Sequence, residues 1–297
     1  SLFGLPNPAS DGFAVSSQTS PDATAALYGL SMQHTLFNTI NTLILVWCVK
    51  FTEKAVVWNI KSPKNQENEP FRLKYISAGP LDTPELAAEQ AFDEIIHFAE
   101  ISRKGLGYVK MAVSESNPDK FEELRGKLVK YEEISDRIEY EIASFLNEVS
   151  LGDISKTTSS RVKAMYKVIG ELESLGDSGE AISRILSRRN QHKQVFDEDT
   201  VNKLLSMVAA VDQAYGAMLD NLVAAHKGKL AEISNAYKAE ECINNLRNYL
   251  REAQIEEIEN GARNYQAGVY YMDIVSELER MGDFIINISQ ALEKAYV

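Results

Sequence analysis

Two stretches of the chain, ELESLGDSGEAISRIL (171–186) and ELERMGDFIINISQAL (277–292), agree at eight of sixteen positions. The shared pairs are Glu171/Glu277, Leu172/Leu278, Glu173/Glu279, Gly176/Gly282, Asp177/Asp283, Ile182/Ile288, Ser183/Ser289 and Leu186/Leu292. Such agreement between distant segments marks an internal duplication, so the fold is built from a unit used twice. The preceding segments align as well, KYEEISDRIEYEI (130–142) with KAEECINNLRNYL (238–250), although Asn244 stands opposite Asp136 and Arg247 opposite Glu139. The unit is therefore duplicated and then partly degenerate.

The duplicated unit is helical. Apolar residues recur at three and four, as in Leu128, Tyr131, Ile134, Ile138, Ile142 and Phe145, and no run of strand period competes. Thr83-Pro84-Glu85 and Asn117-Pro118-Asp119 each put a capping residue before Pro, with an acid in the first turn. These signals predict helices over about 84–113, 118–150 and 157–189, then 198–225, 227–260 and 262–295. The predicted fold is all-α: a six-helix domain of two antiparallel three-helix bundles, with repeats at about 84–190 and 198–297.

Upstream, the charge pattern changes. Only Asp11 and Asp22 are charged before Lys50, and residues 25–49 carry no formal charge. At ~1.5 Å per residue that run can cross a hydrocarbon layer of about 30 Å. Leu43–Val49 is apolar, whereas His34, Thr35, Asn38, Thr39, Asn41 and Thr42 need partners from neighbouring helices. Lys50, Lys54, Lys61 and Lys64 follow, which puts the C-terminal side in the cytoplasm. The expected organisation is an extracytoplasmic loop plus transmembrane helix over 1–58, a linker at 59–70 and the helical domain over 71–297. A buried soluble helix with an irregular tail is the alternative reading of the first segment.

Lys and Arg number 31 against 43 Asp and Glu, a net charge of −12, and nearly all the excess acid lies after residue 70. That balance argues against nucleic acid and suits cations or basic partners. The acids are also patterned. Glu132 with Asp136, Glu173 with Asp177, and Glu279 with Asp283 and Asn287 each form a ladder at spacing four on one helix stripe. Like charges at this spacing repel, so facing ladders suggest a hard cation held by oxygen ligands. A solvated acidic face is the plainer alternative. Gly176 and Gly282 precede the Asp of each ladder, inside helices where Gly costs about 1 kcal/mol against Ala, which points to close helix contact.

The stretch ELERMGDFIINI resembles the E-x-x-x-D-x-x-x-N signature of the PhoU family of phosphate-signalling proteins, and the duplicated three-helix layout is similar to that family's fold. The resemblance covers about residues 70–297. It implies metal ions, divalent or trivalent, on Glu173, Asp177, Glu279 and Asp283, with a weaker second site because Asn244 and Arg247 replace acids. HTLFNTINTLIL followed by FRLKYISAGPLDTPELA resembles the junction in bacterial sodium/phosphate cotransporters between the last membrane helices and a cytoplasmic PhoU-like domain. By that resemblance the chain is the C-terminal part of a symporter in the cell inner membrane, its transport core lying outside the sequence. Sodium, phosphate, the membrane, the missing core and a regulatory protein are the implied partners. No catalytic residue is expected.

Other motifs carry less. Gly176-Asp177-Ser178-Gly179 echoes a serine-protease signature but lies within a helical repeat. Glu94-x-x-His97 is half of a di-iron bundle motif, and no other histidine has Glu three before it. A di-metal oxidoreductase and a soluble helical adaptor are thus the competing functions. Arg188-Arg189 with His192-Lys193 is a basic loop that suits phosphate or lipid headgroups, or simply water. Cys48 and Cys242 form no CxxC, so neither a zinc ribbon nor a disulfide framework is indicated.

Overall fold

The computed structural model describes residues 28–43, 73–76, 83–261 and 264–296. The chain divides into two compact units, Ser1–Pro70 and Phe71–Val297.

In the first unit, residues 28–43 form helix α1. Its sixteen residues rise about 24 Å, and among the described residues no helix is long and apolar enough to cross a membrane. The expected transmembrane helix is unsupported to that extent. Its apolar end beyond Leu43, the loop at 1–24 and the linker at 59–70 lie outside the described residues. Within α1 the large apolar side chains Leu36, Phe37, Ile40 and Leu43 are exposed. The Thr35 and Thr39 hydroxyls donate to the backbone carbonyls one turn back, at 2.9 and 2.7 Å.

The second unit is six helices: α2 (Pro84–Ser114), α3 (Pro118–Ser150), α4 (Lys156–Gln191), α5 (Glu198–His226), α6 (Ser234–Glu259) and α7 (Tyr265–Tyr296). Short connections make neighbours antiparallel. Asn117 caps α3 by accepting from the Asp119 and Lys120 amides at 3.0 and 3.1 Å, and Ser155 and Asp197 cap α4 and α5 in the same manner. Thr83 differs from expectation. It is extended before Pro84, but its side chain caps nothing, and its carbonyl takes the Leu86 and Ala87 amides instead. The start of α6 also differs, at Ser234 rather than 227. Gly228, with φ +63°, turns the chain out of α5, and the Lys229 amide reaches back to the Ala224 carbonyl at 2.8 Å. The residues up to Ile233, itself buried, are then spent on the crossing.

The packing repeats with the sequence. α2, α3 and α4 contact one another, as do α5, α6 and α7, and the two bundles meet along α4 against α7 and α2 against α5. Among the described residues α3 and α6 touch helices of their own bundle only. Equivalent helices of the two copies thus meet at the centre, and the core is continuous through both bundles. Polar ties fix that seam. Buried Ser102 and Tyr215 hydroxyls bond at 2.8 Å, and Arg103 grips Asp212 with Nε to Oδ1 at 2.8 Å and Nη2 to Oδ2 at 3.0 Å.

Candidate metal centre

Glu132 and Asp136 lie one turn apart on α3, and Asp177 lies on α4. One carboxylate oxygen from each falls within 4.8 Å of the others. The glycine ahead of Asp177 makes this possible. A Cβ on Gly176 would stand 2.7 Å from Ser135 Oγ and 2.9 Å from Ser135 Cβ, so the two helices pass closer here than any other residue permits. Ser135 is buried between Glu132 and Asp136 in the sequence, so the contact and the carboxylates share one level of the bundle.

The electrostatics record the crowding. Partial burial, then Asp136 and Asp177, push the Glu132 carboxyl above the ordinary glutamate range. Burial and then Asp136 raise Asp177, against a lowering pull from Arg184. Glu173 is raised by burial and then by Asp177, partly offset by the Ser174 hydroxyl, which donates to Glu173 Oε2 at 3.2 Å. Three hard oxygen donors, no sulfur or nitrogen donor and mutual repulsion compose a donor set suited to a cation such as Ca²⁺, Mg²⁺ or Mn²⁺.

The second ladder is arranged differently. Arg247 of α6 donates to Glu279 at 3.1 Å through Nη2, pairing the counterparts of Glu139 and Glu173, while Asn244 stands where the first copy has Asp136. Burial followed by Asp283 raises Glu279, while Arg247 lowers it. Glu240, the counterpart of Glu132, accepts from the Asn244 amide. Asp283 is exposed and joins no cluster of three among the described residues. Asn287 donates its amide to Glu171 Oε2 of α4 at 3.2 Å, a tie between the bundles rather than a place on a metal stripe. Gly282 repeats the close approach, for a Cβ there would stand 3.0 Å from Ile243 Cδ1. The geometry of duplication is kept in the second copy, and its charge balance is changed.

Sequence reasoning named Glu132, Asp136 and Asp177 from spacing but did not foresee Glu180, whose charge adds to the raising of Glu132 while Arg184 holds it at 2.8 Å. Its spacing of three from Asp177 was the available signal. Glu94-x-x-His97 joins no cluster of three metal-ligating side chains among the described residues, although Glu94 Oε1 is buried and makes no hydrogen bond. Glu94 Oε2 accepts the Lys74 and Tyr75 amides at 2.8 and 2.6 Å, and His97 lies 3.6 Å from Glu100. Gly176-Asp177-Ser178-Gly179 is continuous α4, with Ser178 buried.

Comparison with known proteins agrees with this architecture. Residues 213–292, which hold most of the second repeat, match the model of the PhoU domain. No curated protein matches the chain. The phosphate transport system regulatory protein PhoU from Streptococcus pneumoniae superposes with a TM-score of 0.59 at 16% identity, over 72% of this chain and 96% of that one. A structure described as a PhoU-like phosphate regulatory protein from Shewanella oneidensis MR-1 gives 0.48 at 12% identity, over 71% and 97%. The region from Phe71 onward is a PhoU-like helical domain, matched in sequence through its second repeat and in fold through both.

Proposed function

We propose that this chain is the C-terminal part of a sodium-dependent phosphate symporter, whose PhoU-like domain binds metal at the cytoplasmic face of the inner membrane and regulates phosphate uptake without catalysing a reaction. The observation that carries the reading is the convergence of Glu132, Asp136 and Asp177 at a helix contact made for them by Gly176. Glu132 is partly buried and Asp136 and Asp177 are exposed, and carboxylates this close repel unless a cation joins them, so ion binding would tighten α3 against α4. The first repeat keeps three carboxylate donors, whereas in the second Asn244 replaces the counterpart of Asp136 and Arg247 pairs with Glu279, so that among the described residues one such cluster remains. Membrane attachment is supported by the charge-free run at 25–49, by the lysines that follow it and by the exposed apolar side chains of α1. The two threonine hydroxyls satisfied by the helix backbone lower the cost of placing that helix in lipid. No observation favours the oxidoreductase, because Glu94 and His97 join no cluster of three metal-ligating side chains among the described residues.

Metal content measured by mass spectrometry on the purified full chain, after exposure to Ca²⁺, Mg²⁺ and Mn²⁺ and removal of free ions, tests the centre. E132Q/D177N should lose the bound metal, and D283N should retain it. Unchanged stoichiometry in E132Q/D177N refutes the assignment. The transporter reading is tested by the reading frame upstream of Ser1, where further membrane helices in phase support it and a stop codon removes it.

A further inference from the structure

The last turn of α4 carries two guanidinium groups that no carboxylate among the described residues answers. Arg188 is exposed and makes no ion pair among the described residues. Arg189 is only 7% exposed, lies over the Phe196 ring, and gives Nε and Nη2 to the Asn190 amide oxygen at 3.1 and 2.8 Å. Burial alone moves Arg189 below its ordinary value, with no acid at hand to oppose the shift. In a chain of net charge −12, this turn keeps a locally positive field.

A cavity of about 490 Å³ opens beside it, between α4, Arg125 of α3 and Glu277 of α7. Arg184, Ser187, Arg188 and Gln191 line its α4 wall, at the three- and four-residue spacing of one helix face. Arg125 and Arg184 each send Nε to a carboxylate one turn away, Glu122 and Glu180, both at 2.8 Å, and Glu277 takes Arg280 at 2.9 Å. These three pairs cancel locally, with the arginine of each more exposed than a core side chain and Glu180 and Glu277 partly buried. Of the arginines that line the cavity, Arg188 is the one left without an ion pair among the described residues. At about 30 Å³ per water the cavity has the volume of roughly 16 waters, far beyond one phosphate group and inside the range of small-molecule sites.

We propose that this cavity binds a phosphorylated small molecule of nucleotide size. Arg184 and Arg188 present guanidinium forks to its phosphates, and Glu277 offers an acceptor to a ligand hydroxyl. The site does not depend on the metal reading.

Isothermal titration of the full chain with ADP, inorganic phosphate and citrate tests it, with EDTA present so that no metal bridges a phosphate to the carboxylate cluster. The expected result is saturable ADP binding, weakened about tenfold or more by R188A and by R184A. It should be unchanged in R251A, an exposed arginine of α6. Circular dichroism of each variant establishes that the helices are intact. Absence of saturation at millimolar ADP overturns the proposal, as does equal weakening by R251A. Citrate or inorganic phosphate binding as tightly as ADP overturns the assignment to a larger phosphorylated ligand.

Discussion

Two glycines six residues apart on α4 have opposite consequences when replaced. A Cβ at Gly170 would meet nothing within 4 Å, whereas one at Gly176 would stand 2.7 Å from Ser135 Oγ and 2.9 Å from Ser135 Cβ. Both positions are helix interior, where Ala is favoured over Gly by about 1 kcal/mol. G170A should realise that gain and stabilise the domain by about 0.5–1 kcal/mol. In G176A the hydroxyl of Ser135 can rotate but its Cβ cannot, so α3 must retreat from α4 until the 2.9 Å approach becomes an ordinary contact beyond 3.4 Å. Overpacking of this kind costs ~1–3 kcal/mol, which leaves G176A about 0–2 kcal/mol less stable than the parent. The two variants should differ by about 1–3 kcal/mol, read by urea unfolding followed by circular dichroism. At the size of this domain each kilocalorie moves Tm by ~2–4 °C. Adding S135G removes the obstructing atom, so G176A in the S135G background should recover most of the difference, a coupling measured as a double-mutant cycle. If G176A stabilises as much as G170A, the close approach that brings Asp177 to Glu132 and Asp136 is absent and the argument for the centre fails.

The remaining expectations are smaller in scope. Glu132, Glu173 and Asp177 have folded-state values raised above their ordinary range near 4, so the folded chain binds more protons than the unfolded one above that range. Their contribution is present at low pH and is lost as pH rises through the raised values. Metal-free chain should therefore gain stability as pH falls from 7 toward about 5, less so in D177N, and a flat profile in both would count against the crowding. Asp212, held low by Arg103, gives the opposite slope only below its ordinary value, outside that window. S102A strands the buried Tyr215 hydroxyl and should cost about 1–3 kcal/mol in chemical unfolding, while S102A/Y215F should recover much of the loss. Lys193 sits at φ +54° where α4 ends, so K193G should raise the unfolding midpoint by an equivalent of up to about 1 kcal/mol, and a destabilised K193G would show that its side chain holds the turn.

Much of the fold was legible because it is local. Period three to four and the prolines after Thr83 and Asn117 act within a turn of chain, and five of the six domain helices begin within three residues of their expected starts. The exception, α6, turned on Gly228. Whether a glycine that follows a helix stops it or is carried through depends on what the next residues can bury, and Ile233 had a place in the core that a straight helix would have missed. Thr83 shows the same limit, since a capping residue type before Pro does not oblige its hydroxyl to bond.

The carboxylate spacing, the paired glycines and the degenerate second copy are properties of one helix at a time, and the order of residues is enough to specify them. Which ladders meet is a property of two helices, and depends on axial register and on how near they approach. Side chains distant in sequence set both, among them Ser135 against Gly176 and Ile243 against Gly282. That register joined Asp177 to Glu132 and Asp136, gave Glu279 an arginine for a neighbour, and carried Asn287 across to Glu171. The burial of Arg189 without an acid partner belongs to the same level, because a helical pattern fixes the face a residue occupies and packing between bundles fixes what covers it.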